Sequence, residues 1–62
     1  MSYLKLDQTA ADPYTEPKWV QAVESATPFA TRERAEAAKV RVANASGVVF
    51  DDQQGYWYVL RV

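Results

Sequence analysis

Neither cysteine nor histidine occurs among the 62 residues. The first absence removes disulfides, and the two together remove the soft ligand sets that hold structural zinc. They also remove the commonest general base and the nucleophilic thiol, which leaves carboxylates, Ser, Thr, Tyr and Lys for any chemistry. Glycine is scarce: Gly47 and Gly55 are the only two, too few for a glycine-rich phosphate loop. No apolar run approaches the roughly 18 residues that span a bilayer, so no membrane contact is expected. The opening stretch MSYLKLDQTAADP carries no basic segment followed by an apolar one, so no export signal is read there and the cytoplasm is the expected location.

No sign of charge dominates either. Seven basic residues face eight acidic ones, for a net charge of −1. That balance disfavours general nucleic-acid binding, whose affinity rests on a basic excess facing phosphates. Asp51 and Asp52 are adjacent in a stretch that reads as a turn, where solvent keeps both ionised. An EF-hand loop opening at Asp51 would need its bidentate Glu where Val62 stands. No enzymatic activity, metal or cofactor is therefore expected.

What is present fits one small domain over residues 1–62. A chain of this length buries only about 60% of its unfolded surface, so its stability is a few kcal/mol, roughly 3–5 at most. Aromatic residues make up 13% of it, more than disordered chains carry.

SYLKLD alternates, with Leu4 and Leu6 on one side and Tyr3 and Lys5 on the other, and reads as a strand. QTAADPYTEP reads as a loop, long enough to cross the domain and anchored by Tyr14. KWVQAVESA fits two patterns. As a strand it puts Trp19, Gln21 and Val23 on one face; as a helix it aligns Trp19, Ala22, Val23 and Ala26, with Pro17 at the first helical position. The β-favouring Trp-Val-Gln-Ala-Val tips the balance toward strand, and residues 18–26 stay open between the two.

TRERAEAAKVRVANASG is the clearest element. Thr31 suits the N-cap, Glu33 complements the dipole in the first turn, and Gly47 suits the left-handed position beyond the end. Ala35, Ala38, Val42 and Ala45 share one narrow stripe, so the helix should lie close to whatever it covers. Arg34 and Arg41 flank the stripe on one side, Arg32 and Lys39 on the other, with aliphatic stems free to lie over neighbouring surface. VVFDDQQGYWYVLRV reads as a hairpin: Val48 to Phe50, a loop from Asp51 to Gly55, then Tyr56 to Val62.

The last strand is two-faced. Tyr56, Tyr58, Leu60 and Val62 point one way, and Trp57, Val59 and Arg61 the other. One helix covers one face, so the second must be covered by the N-terminal loop, by another copy, or by a different protein. If Tyr14 and Trp19 fold over Trp57, the core is ordinary. If they do not, Trp57, Tyr58 and Arg61, with Tyr56 and Trp19, form a partner-binding surface of residue types common at interface hot spots.

The segments WVQAV, FATRERAEAAKVRV, VVF and YWYVLRV resemble, in order, the first half of a SPOR-type peptidoglycan-binding repeat: strand, Ala-rich helix, hairpin. In size, acidity and β-α-β-β order the chain is also similar to small phage-encoded inhibitors, the anti-CRISPR type among them, which block a larger host machine by occupying a surface. That second likeness implies a cytoplasmic inhibitor whose partner is a larger host protein or complex.

The expectation is thus an α+β fold: a three- to four-stranded antiparallel sheet with one α-helix on one face, built on a β-α-β-β core. Its expected function is non-catalytic protein binding. Self-association into a homodimer or structural assembly is the first alternative, and weak single-stranded nucleic-acid binding through Arg32, Arg34, Lys39, Arg41 and Arg61 is the second.

Overall fold

The computed structural model describes residues 1–62. Four strands form one antiparallel sheet: β1 (Ser2–Lys5), β2 (Lys18–Val20), β3 (Gly47–Asp51) and β4 (Tyr56–Arg61), in the order β2-β1-β4-β3. A single helix, α1 (Arg32–Arg41), packs on one face of it. This is the α+β arrangement read from the sequence, with four strands.

The β3–β4 hairpin follows from its turn chemistry. The Asp51 carboxylate accepts from the backbone N–H groups of Gln53 and Gln54 at 2.9 and 3.2 Å. Gly55 then takes a φ of 76°, and its N–H donates to the Asp51 carbonyl at 2.7 Å. Only glycine adopts that backbone at no steric cost. The turn sets a register in which Val49 faces Tyr58 and Phe50 faces Trp57. At the open end, Ser46 N–H donates to the Leu60 carbonyl and Val62 N–H to the Ser46 hydroxyl.

Thr31 caps α1, its hydroxyl accepting from Arg34 N–H at 3.2 Å. The whole alanine stripe reaches the core: Ala35, Ala38 and Val42 are buried with Leu4 and Val59, and Ala45 packs against them. The helix is shorter than its sequence suggests. Val42 is already extended at φ −110°, and the left-handed position falls at Asn44, with φ 69°. Asn tolerates that region because its short polar side chain bonds locally, so Gly47 is released from capping and opens β3 instead.

Residues 18–26 resolve into neither alternative. Lys18–Val20 is strand, the chain turns, and Val23–Ser25 forms one turn of 3-10 helix. The course from Thr27 to Phe29 is set by partners far away in the chain rather than by local pattern. Thr27 N–H donates to the Leu4 carbonyl at 3.0 Å, and the Thr27 hydroxyl accepts from Leu6 N–H at 2.8 Å. Phe29 then exchanges two 2.8 Å backbone bonds with Trp57. This segment therefore wedges between the diverging ends of β1 and β4 and continues the sheet where β1 leaves it.

Candidate protein-docking surface

Alternation along β4 assigns each aromatic residue to a face. Trp57, Val59 and Arg61 share the helix side with Leu4, Trp19, Val48 and Phe50; Tyr56, Tyr58 and Leu60 share the other with Tyr3, Val20 and Val49. The five residues singled out from the sequence accordingly do not form one surface. Tyr58 is 2% exposed and lies behind the sheet as seen from the helix. The Tyr3 ring meets it edge-on at 6.3 Å. The segment around the 3-10 turn lies on the same side: Ala26 is buried yet stands apart from the helix-side cluster, and the Glu24 carboxylate acts on the Tyr58 phenol. Burial, then the negative charges of Asp51, Tyr56 and Glu24, push the Tyr58 phenol above its usual value.

Arg61 and Trp19 do come together, at the end of the helix face farthest from the hairpin turn. The Arg61 guanidinium lies 4.6 Å from the centre of the Trp19 ring, and close to the same core Arg41 lies 3.8 Å from the centre of Tyr14. Tyr14 and Trp19 both pack against the buried cluster, so the loop from Leu6 to Pro17 closes that end of the core. Cation–π contacts of this kind are worth about 0.5–1 kcal/mol where exposed.

The opposite end is more open. Trp57 packs partly against the core, and its ring meets Phe50 at 5.3 Å with a 57° tilt. Phe50 remains 47% exposed. Arg32, in the first turn of α1, sets its guanidinium 5.9 Å from the centre of Trp57 and pairs with Glu36 at 3.5 Å. Phe50, Trp57 and Arg32 thus form a contiguous patch in which each member supports the next. Tyr56, 45% exposed, stands behind it on the other face of the same hairpin end.

Arg32 was read from the sequence as a residue flanking the alanine stripe and a candidate nucleic-acid contact, not as part of a protein-binding surface. Phe50 was not singled out there, although one signal pointed to it. Once Asp51 and Tyr56 close the turn, counting back one pair places Phe50 opposite Trp57. The position of Arg32 depends on how α1 crosses the sheet, which no local pattern encodes.

The surface holds no cavity, no group of three or more His, Cys, Asp or Glu side chains is placed to share a metal ion, and no helix is long and apolar enough to cross a membrane. What the patch offers is exposed aromatic and guanidinium surface, suited to contact. No family model, curated protein or solved structure matches the chain.

Proposed function

We propose that the chain is a non-catalytic protein-binding module of the small inhibitor type, acting in the cytoplasm by occupying a surface on a larger host protein or complex. The observation that carries this reading is the half-exposed Phe50 ring, held against Trp57 beneath the Arg32 guanidinium. Trp and Arg are the residues most enriched where interfaces draw their energy, and their value rises when a partner excludes water from them. Trp57 is fixed by backbone bonds to Phe29 and by core packing, so little side-chain freedom is lost on docking. Of the five residues expected at a binding surface, this reading keeps Trp57 in the patch and Tyr56 at its margin. Tyr58 has no exposed surface to offer, and Arg61 and Trp19 serve the far end of the core.

Affinity capture from bacterial lysate, followed by titration with the purified partner, tests this. Arg32→Ala and Phe50→Ala should each weaken binding by tenfold or more, about 1.4 kcal/mol, while far-UV circular dichroism stays unchanged. Capture that is indifferent to both substitutions would place the docking surface elsewhere.

A further inference from the structure

The two outer strands of the sheet are protected unequally. β2 is preceded by Pro17 and opens with Lys18, which pairs with Asp7 at 3.7 Å, and both proline and lysine blunt an edge against further pairing. β3, the other edge, reads Gly-Val-Val-Phe-Asp and carries no proline or basic residue.

Hydrogen-bond alternation shows what that edge presents. Trp57 directs its N–H and C=O toward Phe29, on the β1 side of β4. Its neighbours Tyr56 and Tyr58 therefore direct theirs toward β3, where they meet Asp51 and Val49. The backbone groups of Val48 and Phe50 consequently point outward, away from β4. We propose that a second copy of this chain occupies the edge, β3 pairing antiparallel with β3 about a two-fold axis at Val49 to give a continuous eight-stranded sheet. This goes beyond the docking reading and does not depend on it.

The strand is self-complementary in that register. Val48 of each copy exchanges two backbone bonds with Phe50 of the other, and Val49 faces Val49 as the closer, non-hydrogen-bonded pair. On the helix side the exposed Phe50 ring gains the second copy's Val48 as a cross-strand neighbour. Asp51 falls opposite Gly47, where a side chain would meet nothing within 4 Å, so there is room for it. The two Asp51 carboxylates are then four residues apart along the strands, about 14 Å, which exceeds the screening length at physiological salt. A parallel pairing would set them side by side. Only 7 of the 62 residues are buried in the lone chain, so further apolar cover is available to be gained. A contact limited to one short strand belongs to the small interface class, below about 1,200 Å², so the dimer is concentration-dependent.

Sedimentation equilibrium over a wide concentration range tests this. The expected result is a mass that doubles from 7.0 kDa as concentration rises. Val49→Lys and Val49→Glu should each abolish the doubling, because like charges meet at the axis, and an equal mixture of the two should restore it. Should a charged variant fail to fold, Val49→Cys gives a second reading in a chain with no other cysteine. It should cross-link rapidly on oxidation, whereas Val48→Cys, with its own copy about 9 Å away across the axis, should not, because a disulfide tolerates at most about 7 Å between Cα atoms. A wild-type mass fixed at the monomer value, a dimer that survives both charged variants, or equal cross-linking at positions 48 and 49 would overturn the proposal. Binding of a host protein through Arg32 can fail or succeed without altering any of these readings.

Discussion

On the helix side of the sheet, Leu4 and Val59 are both 0% exposed beneath Ala35, Ala38 and Val42, whereas among the strand residues of the other side Tyr58 alone is buried. Its neighbours Tyr3, Val20, Val49 and Leu60 stay half-exposed. The difference lies in what each cover must satisfy. A helix bonds its own backbone and, lined with alanine, approaches closely over several residues of two strands. The segment over Tyr58 has no such self-sufficiency, and every buried N–H it brings needs a partner. It finds them singly: Ser25 N–H to the Ala22 carbonyl, Ala26 N–H to Val23, and Thr27 N–H to Leu4. A short chain can build one regular cover and one improvised one, and the improvised one closes over a single large ring.

The sharpest way to break this contrast is to truncate one leucine on each side. Leu4→Ala should cost about 2–5 kcal/mol, the usual range for a buried leucine, against a total stability of roughly 3–5. Most of the protein should then be unfolded in far-UV circular dichroism at room temperature. Leu60→Ala, on the half-open face, should cost about 1 kcal/mol and leave a cooperative urea transition. Equal losses would mean that the second face is as well covered as the first.

These two faces were not equally legible in the sequence. The helix side was visible in the spacing of Ala35, Ala38, Val42 and Ala45, and all four reach the core. The hairpin was visible in Asp51 and Gly55 flanking its turn. The burial of Tyr58 was not visible, because it depends on the stretch from Val23 to Phe29 crossing back to the strands. That stretch has neither period 2 nor period 3.6, and its decisive bonds join residues as far apart as Phe29 and Trp57. Strand alternation alone separates Trp57 from Tyr58, so grouping them on one surface conflicted with a rule the sequence already supplied.

A smaller effect probes the improvised cover by pH. The folded state holds the Tyr58 proton more tightly than the unfolded chain does, through burial first and the charges of Asp51, Tyr56 and Glu24 next. Between the ordinary phenol value, about 10, and the raised folded one, the unfolded chain has released a proton that the native state keeps. Unfolding is favoured as pH rises through that window, so the contribution is intact below it, is lost across it, and does not change further above the folded value. Tyr58→Phe should remove this alkaline decline from urea midpoints measured between pH 8 and about 11, while changing stability at pH 7 by about 1 kcal/mol or less. An alkaline limb that persists unchanged would assign it to other groups and would mean that Tyr58 is better solvated than its 2% exposure implies.

The smallest effect belongs to the loop that carries Tyr14 back to the helix side. Asp7 opens that loop, accepting from the Thr9 hydroxyl at 2.6 Å and from Thr9 N–H at 3.0 Å, with Lys18 nearby. Those contacts, the Thr9 hydroxyl foremost, hold the Asp7 carboxyl below the usual carboxylate range. A depressed folded value contributes stability above the ordinary one, and the contribution is lost as pH falls through the folded value. Asp7→Asn keeps an oxygen able to accept from Thr9 but carries no charge, so its stability should lack the part of the acid decline that lies below about pH 4. Asp7→Ala loses the acceptor as well and should be less stable than Asp7→Asn at every pH. Because the Lys18 side chain is largely exposed, raising the salt concentration should shrink only the Lys18 share of the effect. A response that vanishes entirely in salt would show that the ion pair, and not the turn formed with Thr9, ties this loop down at the helix side of the sheet.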